Sequence, residues 1–586
     1  MMMRAGLFLG ALFIGCWVST ILLSASLNSV HLPDGAWFSV AGVKIFAPWM
    51  WFEWFYLYGG RFQAVFIKTM WPIQLSILVG IAFAWLSRFL KKSKTSSTVH
   101  GSARWAREDE LLEAGLLVKH GVVLGQSQDS RSLLCHDGPE HVLAIAPTRG
   151  GKGVGLVIPT LLSWQESAII FDPKGENWHI TSGYRAGLGA CYCFEPTSLK
   201  STRFNPLMEI RKGTLEVKDA QNIADIIVDP DGRLETRNHW QNAAHSLLVG
   251  TILFVIYDWP RKSLAGVVEF LTRPQQSFEQ VLEQMASSSH PVVTSVAQEM
   301  LNKHIEERSG VLSTAISLLA IFRDPLVAHA TDGHDFSVLS LKNSAAPVSL
   351  YLVLPPSDIS RLRVLLRIIL NQIGRVLTES QDAARANKRR VLFLLDEFPA
   401  LGKLEFFESA LAYMAGYGLK AFLVCQSLNQ LQKAYGERNS ILDNCHVRVA
   451  FANNDDQTAR RLSALLGEET ATKEQVSWSG NRFDMFLRNT STSHVQFGRP
   501  LLLPSEINRL PSSKEIILIN GAPPILANKV KYYEDARFKD CIRSPIELAK
   551  AQELFKLSNL DSPPLNLKTH NDDQLGDIHQ PIGSAL

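Results

Sequence analysis

The sequence predicts an α/β domain of the P-loop type that is interrupted by an all-helical domain and preceded by a membrane anchor of two helices. An apolar run at 142–146 breaks into a glycine-rich loop with a lysine, then resumes as an apolar helix at 154–164. A second apolar run, at 391–395, ends in two carboxylates. From about 220 to 329, strand-like runs disappear and helix-forming sequence takes over. These three observations predict the fold class.

Composition narrows the class of protein. The chain has 586 residues, of which 46% are hydrophobic, a high share for a soluble protein that indicates a membrane portion. The net charge of +3 gives no overall attraction to nucleic acid. The seven cysteines are scattered without a metal-binding spacing, which is typical of a reduced, cytosolic protein.

Two stretches, 5–27 and 69–87, carry no charge, and they predict membrane spans at about 5–27 and 69–88. Each is long enough as a helix to cross a hydrocarbon core of ~30 Å. A cleaved signal peptide is the alternative for the first stretch, but the stretch is longer than a usual signal-peptide core. The positive-inside rule predicts that both flanks face the cytoplasm. The basic residues on these flanks are Arg4, Arg88, Lys91, Lys92 and Lys94.

The loop between the spans, 28–68, is then extracytoplasmic and crowded with aromatic residues. An interfacial aromatic belt is one interpretation, and a contact surface for another membrane protein is the other. The residues concerned include Trp49, Trp51, Phe52, Trp54, Phe55, Tyr56 and Tyr58.

The domain boundaries follow from these changes in pattern. The apolar segment at 247–256 is too short to span a membrane and has polar residues before it, so we expect a buried core helix. The C-terminal residues contain few aromatics and are expected to be a disordered, mildly acidic tail. The predicted ranges are 1–92 for the anchor, 93–219 and 330–556 for the two parts of the nucleotide-binding domain, 220–329 for the all-helical domain and 557–586 for the tail.

The candidate phosphate-binding loop departs from the usual pattern at two positions. Ala146 stands where the pattern has its first glycine, and Gly153 stands where it has the Ser or Thr that binds Mg²⁺. The backbone N–H groups of such a loop bind phosphates at a helix N-terminus, and Lys152 is expected to reach the β- and γ-phosphates. The predicted binding residues are Ala146, Pro147, Thr148, Arg149, Gly150, Gly151, Lys152, Gly153 and Val154.

Two carboxylates at the end of the run 391–395 have the form of a Walker B motif. A strand buried on both faces would deliver both side chains at its tip. We expect Asp396 to hold Mg²⁺ through water and Glu397 to orient or deprotonate the attacking water. With Lys152, Glu397 is therefore a predicted catalytic residue.

Two further polar residues follow predicted strands. Asp172 ends the run 168–171, at the edge where ligands bind in open α/β sheets, and it is a predicted nucleotide-site residue. A turn cap is the alternative for Asp172. Gln426 follows the run 421–425 and is expected to sense the γ-phosphate as a third catalytic residue, with a polar strand end as the alternative.

The order of these motifs resembles that of the type IV coupling proteins, the TraG-like membrane ATPases of conjugation and type IV secretion systems. The resemblance covers most of the chain, from Arg4 to about Arg543. Besides the two spans and the P-loop at 146–155, it depends on His-Gly-Ser-Ala-Arg-Trp-Ala at 100–106, Asp-Pro-Lys-Gly-Glu at 172–176, Phe-Asn-Pro-Leu at 204–207, Leu-Asp-Glu-Phe-Pro at 395–399 and Cys-Gln-Ser-Leu-Asn-Gln-Leu at 425–431.

The resemblance implies a RecA-like nucleotide-binding domain with an all-α insertion, ATP and Mg²⁺ as cofactors, and a homo-hexamer. It places the protein in the bacterial inner membrane as a two-pass protein with the bulk of the chain in the cytoplasm. It implies an ATPase that receives a relaxase–DNA complex or effector proteins on the helical insertion and passes them to type IV secretion components in the membrane. The residues themselves do not distinguish DNA cargo from protein cargo.

Two other functions stay open from the sequence. An FtsK-like DNA pump would act without a secretion channel, and a docking adaptor would bind nucleotide with little hydrolysis. Gly153 predicts slow intrinsic hydrolysis, because Mg²⁺ lacks one protein ligand. The sequence contains no His-Glu-x-x-His motif, which argues against a zinc metalloprotease. An arginine finger stays unassigned among Arg438, Arg448, Arg460, Arg461 and Arg499.

Overall fold

The computed structural model describes residues 2–27, 35–40, 43–89, 100–232, 237–379, 389–479 and 489–546. The chain divides into two compact units, residues 1–97 and 98–586. The predicted tail at 557–586 and the basic residues at 91–94 lie outside the described residues.

Helices dominate the N-terminal unit. They cover Met2–Ser26, Met50–Tyr58, Gln63–Thr69 and Trp71–Phe89, beside a short antiparallel pair of β1 (Phe38–Val40) and β2 (Val43–Ile45). Two segments, Leu9–Ser26 and Gln63–Ala82, are long and apolar enough to cross a membrane. The second segment begins before the predicted start at 69, because the chain is already helical from Gln63.

Gly15 lies where the first and last of these helices meet. A Cβ atom at this position would be 2.5 Å from Ser76 Oγ and 2.8 Å from the carbonyl oxygen of Pro72. Only glycine therefore permits this approach of the two helices.

The aromatic residues between the two apolar segments are divided between a small core and the surface. Trp51, Trp54 and Phe66 are buried, and Trp51 Nε1 donates a hydrogen bond to Thr69 Oγ1 at 3.2 Å. The buried aromatic residues fill the interior of this unit, so an interfacial belt or a contact surface would consist of the exposed aromatic residues. The exposed residues are Trp49, Phe52, Phe55 and Tyr56.

A mixed sheet of 11 strands forms the centre of the second unit. Its spatial order is β4-β3-β15-β14-β11-β5-β10-β9-β6-β8-β7. In chain order the strands of this unit are β3 (Val122–Gln126), β4 (Leu133–His136), β5 (Val142–Ile145), β6 (Ser167–Asp172), β7 (Ala190–Phe194), β8 (Val348–Val353), β9 (Val391–Leu395), β10 (Leu419–Cys425), β11 (Val447–Ala450), β12 (Glu468–Ser479), β13 (Asn489–Pro500), β14 (Lys514–Ile519) and β15 (Ile525–Asn528).

The strands from β11 to β7 in this order run parallel, and the strands on the other side of β11 pair antiparallel. Strands β5, β6, β8, β9 and β10 are buried at every position. Such continuous apolar runs are typical of parallel strands that are covered on both faces. Strand β10 lies between β5 and β9.

Helices cover the sheet. After the P-loop, one π-helical turn at Gly153–Val157 continues directly into the α-helix Ile158–Ser163. The other α-helices of the sheet domain are Glu108–Glu113, Glu176–Arg185, Ile359–Thr378, Glu405–Met414, Leu428–Tyr435, Ile441–Asn444, Asp456–Leu466, Pro504–Asn508 and Ala536–Lys539.

A helical insertion separates β7 from β8. At its centre is the helix His239–Asp258, in which every residue from 247 to 256 is buried. The insertion is longer than the predicted 220–329, because its first and last helices have polar ends without an apolar run to mark them. Its helices are Glu216–Val228, His239–Asp258, Leu264–Leu271, Phe278–Ala286, Pro291–Leu301, Ile305–Leu318, Pro325–Asp332 and Ser340–Asn343.

The Phe-Asn-Pro-Leu motif joins the sheet to this insertion. The backbone N–H of Phe204 donates to the carbonyl oxygen of Ala330 at 2.9 Å, and Asn205 Nδ2 donates to that of Lys262 at 2.7 Å. Asn205 is buried, so these partners replace water.

The hairpin of β12 and β13 was not predicted from the sequence. Its strands pair from Glu468↔Pro500 to Ser479↔Asn489. Both strands are mostly polar in sequence, and alternation of apolar and polar residues is confined to the short runs 476–478 and 495–497, which are too short to predict a strand. The segment 100–106 is attached to its base, where the N–H of Ala103 donates to the carbonyl oxygen of Glu468 at 2.9 Å.

Candidate nucleotide site

The polar residues that the sequence places after separate strands meet at one edge of the sheet. Strands β5, β6, β9, β10 and β11 are parallel, so their carboxyl ends point the same way. This edge is where ligands bind in open α/β sheets. The residues at this edge are Asp172 at the end of β6, Asp396 and Glu397 after β9, Gln426 after β10, Asn453 after β11 and the loop 146–153 after β5.

The loop after β5 is shaped by its backbone. The N–H of Ala146 still donates to the carbonyl oxygen of Cys425 at 2.9 Å, so the loop starts from within the sheet. Arg149 and Gly151 have φ values of 61° and 88°. A non-glycine residue rarely adopts such a value, so Arg149 is a strained position, as occurs at binding sites.

The glycines of this loop differ in how much space surrounds them. A Cβ atom at Gly150 would be 2.9 Å from the carbonyl oxygen of Pro147 and 3.3 Å from the ring of Phe451. A Cβ atom at Gly153 would meet nothing within 4 Å. Close packing therefore requires glycine at 150, whereas the space around position 153 would admit a larger side chain.

Lys152 lies between the two carboxylates of the β9 tip. Its Nζ is 2.8 Å from Asp396 Oδ1 and 2.8 Å from Glu397 Oε2. Burial by itself lowers the pKa of Lys152, but the two carboxylates outweigh burial and raise the pKa above its usual value. The structure thus brings together the three residues that the P-loop and the Walker B motif supply.

Glu397 is held by two glutamines as well as by Lys152. Gln426 Nε2 and Gln430 Nε2 donate to Glu397 Oε1 at 2.8 and 2.5 Å. Burial raises the pKa of Glu397, but Lys152 and both amides outweigh it, so the pKa is lowered and the carboxylate stays charged. The φ of Glu397 is 60°, a left-handed conformation that is rare for a residue other than glycine and is typical of functional sites.

Gln430 and Asn453 are further site residues that the sequence analysis above does not predict. Gln430 Oε1 accepts a hydrogen bond from the backbone N–H of Gln426 at 2.9 Å. Asn453 is buried, and its Nδ2 donates to the carbonyl oxygen of Gln426 at 2.8 Å. Gln430 stands four residues after Gln426 in the motif 425–431, a spacing that places both on one side of a helix start. Asn453 carries no such signal.

Asp172 is fully buried at the last position of β6. Its Oδ2 accepts a hydrogen bond from the N–H of Trp178 at 2.9 Å, as a turn cap would. Burial raises the pKa of Asp172 to about 6, backbone N–H groups oppose this, and the charge of Asp396 adds to the rise. Asp172 therefore makes the hydrogen bond of a turn cap, and it also lies close enough to Asp396 to respond to its charge.

The donors at this edge fit a nucleotide with Mg²⁺. The first N–H groups of the helix that begins at Gly153 have no acceptors within the helix and suit phosphate oxygens. Lys152 adds a cation, and Asp396 adds a hard oxygen ligand of the kind that Mg²⁺ prefers. Gly153 offers no hydroxyl group, so the protein supplies few metal ligands.

The five arginines considered as fingers are in different environments. Arg448 donates to backbone carbonyl groups of its own chain, and Arg499 pairs with Glu506 at 2.6 Å. Both are engaged within the chain. The other arginines are exposed and form no hydrogen bond or ion pair within the described part of the chain: Arg438, Arg460 and Arg461.

The fold and the site define a P-loop protein with a RecA-like domain, because a phosphate-binding loop and a Walker B strand flank a third strand in one parallel sheet. The family model described as "Type IV secretory system Conjugative DNA transfer" matches residues 103–554. The chain belongs to this family, the type IV coupling proteins. The family and the fold class predicted from the sequence are thereby confirmed.

Individual relatives agree with this membership. The chain is 38% identical over 550 residues to the conjugal transfer protein TraG of Escherichia coli, covering 84% of this chain and 86% of the relative. It is 32% identical over 480 residues to the protein VirD4 of Agrobacterium fabrum, covering 79% and 70%. The fold is similar to that of the plasmid coupling protein TrwB in complex with a non-hydrolysable ATP analogue, with a TM-score of 0.56, 19% identity and coverage of 75% and 96%.

Proposed function

We propose that this protein is an inner-membrane ATPase that recruits substrate to a type IV secretion or conjugation channel and uses ATP binding and hydrolysis to promote transfer. The observation that carries the proposal is the contact of Lys152 with both Asp396 and Glu397, with Gln426 on the far side of Glu397. This cluster joins a phosphate-binding cation to a charged carboxylate that can act on water.

Each residue has one role in the proposed reaction. ATP with Mg²⁺ supplies the γ-phosphoryl group and a divalent charge when bound. Lys152 would bind the β- and γ-phosphates, and Asp396 would hold Mg²⁺ through water. Glu397 would orient or deprotonate the attacking water, and Gln426 would sense the γ-phosphate from the neighbouring strand.

Within the loop from Ala146 to Val154, the backbone N–H groups that have no acceptor in the protein would bind phosphate. Pro147 has no N–H group, and those of Ala146 and Gly150 donate to the carbonyl oxygens of Cys425 and Pro147.

Asp172, at the end of β6 beside β9, would assist the binding of Mg²⁺ with the nucleotide. Its charge adds to that of Asp396, so its ionised form strengthens the attraction of this edge for a divalent cation. The pKa of about 6 leaves Asp172 mostly ionised at pH 7.

Gly153 limits the rate. Mg²⁺ bound here lacks the hydroxyl ligand of the common P-loop and depends on water, the phosphates and Asp396. We therefore expect slow intrinsic hydrolysis that assembly into a hexamer, or bound substrate, accelerates. A docking adaptor that binds nucleotide with little hydrolysis is the second candidate, and the same residue favours it.

The helical insertion is the proposed receiving surface for cargo. Between residues 216 and 343 the sequence has 16 acidic and 10 basic side chains, although the whole chain is slightly basic. A surface of this charge repels a phosphate backbone, because DNA binding depends on the neutralisation of phosphates by Lys and Arg. The charge therefore supports contact with a protein, either an effector or the relaxase of a relaxase–DNA complex.

The remaining parts of the proposal concern assembly. The apolar segments Leu9–Ser26 and Gln63–Ala82 would cross the membrane in two passes, with the ATPase domain in the cytoplasm. Subunits would form a homo-hexamer around the site edge, where a neighbour's exposed Arg438, Arg460 or Arg461 is available as a finger. Contacts with membrane components of the channel fall to the N-terminal unit.

Transfer in a strain that lacks this protein tests the proposal. Complementation with the wild-type protein should restore transfer of DNA or effector, and crosslinking at exposed insertion residues such as Ile305 should capture cargo protein. Full transfer without the protein would contradict the proposal. An FtsK-like pump would instead show DNA-stimulated ATP turnover and leave transfer unchanged in the deletion strain.

A further inference from the structure

A lysine far from the P-loop in sequence lies against it in the fold. Lys529 directly follows β15, which pairs antiparallel with β14, which in turn pairs antiparallel with β11. Strand β15 therefore runs in the same direction as β5, and its end reaches the same edge of the sheet as the P-loop. The N–H of Lys529 donates to the carbonyl oxygen of Ser513 at 2.8 Å, which fixes the backbone there.

The side chain of Lys529 contacts the loop itself. Its Nζ donates to the carbonyl oxygen of Gly150 at 2.9 Å and lies 3.5 Å from the centroid of the Phe451 ring. That ring also packs against Gly150, where a Cβ atom would be 3.3 Å from it. An ammonium over an aromatic face is attracted by the ring, so Phe451 steadies the cation and the loop together.

Because the peptide bond is planar, the contact of Lys529 with the Gly150 carbonyl oxygen also affects the N–H group of Gly151. The carbonyl oxygen of Gly150 and the N–H of Gly151 belong to one planar unit and point in opposite directions. Gly151 has a φ of 88°, a conformation that only glycine adopts readily, so this peptide plane is free to turn unless something holds it. Lys529 holds its carbonyl end from outside the loop.

We propose that Lys529 is a positioning residue of the nucleotide site: it fixes the Gly150–Gly151 peptide so that the N–H of Gly151 points into the loop toward phosphate. This inference rests on the proposed function of the loop as a nucleotide site. Because the N–H acts on bound nucleotide in the ground state and the transition state alike, loss of Lys529 should weaken binding more than it slows chemistry.

A buried carboxyl group faces Lys529 from β14. Glu515 is fully buried, and neither of its carboxyl oxygens has a hydrogen-bond partner among the described residues. Gly125, with a φ of 149°, leaves room for it, because a Cβ atom there would be 2.3 Å from Glu515 Oε1. Burial lowers the pKa of Lys529 and the Glu515 carboxyl group opposes this. This opposition is partial, because burial raises the pKa of Glu515 well above its usual value and the pKa of Lys529 stays lowered overall. The ammonium of Lys529 is therefore held by the Gly150 carbonyl group and the Phe451 ring.

Nucleotide kinetics on the full-length protein in detergent test the proposal. Lys529→Met keeps the length of the side chain but removes the charge and the donor, and it should raise KM for ATP about tenfold while kcat changes less than twofold. Lys529→Arg, which keeps both properties, should recover KM to within about threefold of wild type. Lys531→Met is the matched control and should leave KM unchanged, since Lys531 is exposed and among the described residues its ion-pair partner is Glu534.

The outcomes separate this inference from the proposed function. If the wild-type protein binds no fluorescent ATP analogue, the proposed function fails. If the wild-type protein binds the analogue and Lys529→Met has the wild-type KM, or loses kcat at unchanged KM, the inference on Lys529 is overturned. If Lys529→Met does not fold, Phe451→Leu replaces it: the inference requires KM at least threefold above wild type, and an unchanged KM overturns it.

Discussion

Lys152 Nζ is 2.8 Å from Glu397 Oε2, and the same ammonium is 2.8 Å from Asp396 Oδ1. The lysine that would bind phosphate therefore shares its charge with the carboxylates that would hold metal and activate water. Bound phosphate competes with Glu397 for this lysine, so nucleotide binding would weaken the hold on Glu397 and free it to act on water.

Replacing Lys152 tests whether this edge binds nucleotide. Lys152→Ala removes the phosphate-binding cation and leaves two carboxylates that repel an anion, so affinity for a fluorescent ATP analogue should fall more than tenfold. Fluorescence titration of the purified protein measures this. Lys174→Ala is the control, since Lys174 is exposed and lies outside the P-loop, and it should bind like wild type. Equal affinity of the wild type and Lys152→Ala would refute the assignment.

Position 153 has room for the hydroxyl side chain that the usual P-loop carries there. Because a Cβ atom there meets nothing within 4 Å, Gly153→Thr should fold and add a hydroxyl ligand for Mg²⁺. We expect the Mg²⁺ concentration for half-maximal ATP hydrolysis to fall severalfold and turnover to rise. Gly153→Ala adds a methyl group without a metal ligand, so it separates the effect of the added side chain from the effect of the hydroxyl group. If both variants have the wild-type Mg²⁺ dependence, the absence of the hydroxyl group does not limit hydrolysis.

The pKa of Asp172, raised to about 6 by burial, predicts a pH dependence of activity. Below pH 6 the carboxylate gains a proton and loses its charge, so kcat/KM for ATP hydrolysis should fall with a limb near pH 6. Asp172→Asn should have reduced activity at pH 7.5 and should lack this limb. Glu176→Gln, a change at the exposed carboxylate four residues later, should keep the limb. A wild-type profile that is flat between pH 5 and pH 7 would contradict the role of Asp172.

Because Asn205 contacts the helical insertion, its replacement by alanine should lower the stability of the protein. Asn205→Ala removes the hydrogen bond to the carbonyl oxygen of Lys262 and leaves that oxygen unpaired, at a cost of about 1–3 kcal/mol. Thermal unfolding should show a lower midpoint, by several degrees. Asn454→Ala, at an exposed loop position, should not shift it. Equal midpoints for both variants would show that Asn205 does not hold the insertion.

Local sequence was enough to predict the central strands and most of the site. Continuous apolar runs such as β5 and β9 identify buried strands by themselves, and Lys152, Asp396 and Glu397 stand next to them in fixed patterns. The insertion was predicted because its core helix has a long apolar segment that no strand of the sheet shows. These features depend on neighbours in the chain.

Features that depend on distant parts of the chain were not predicted. Asn453 and Lys529 reach the site only because β11 and β15 end at the same sheet edge as β5, and neither residue belongs to a motif. The hairpin of β12 and β13 is not predicted because the sequences of both strands are mostly polar. Sequence patterns report burial and local geometry, whereas these placements are set by the order of strands in the sheet.

Glu397→Gln provides the most direct test of the central claim that this site hydrolyses ATP to drive transfer. The change keeps the size of the side chain and an oxygen near Lys152 but removes the general base, so ATP turnover should fall by about 10²–10⁴-fold while the ATP analogue still binds. The deciding measurement is the transfer frequency in cells that express Glu397→Gln at the wild-type level in place of the native protein. The account predicts loss of transfer parallel to the loss of turnover, and full transfer without hydrolysis would contradict it.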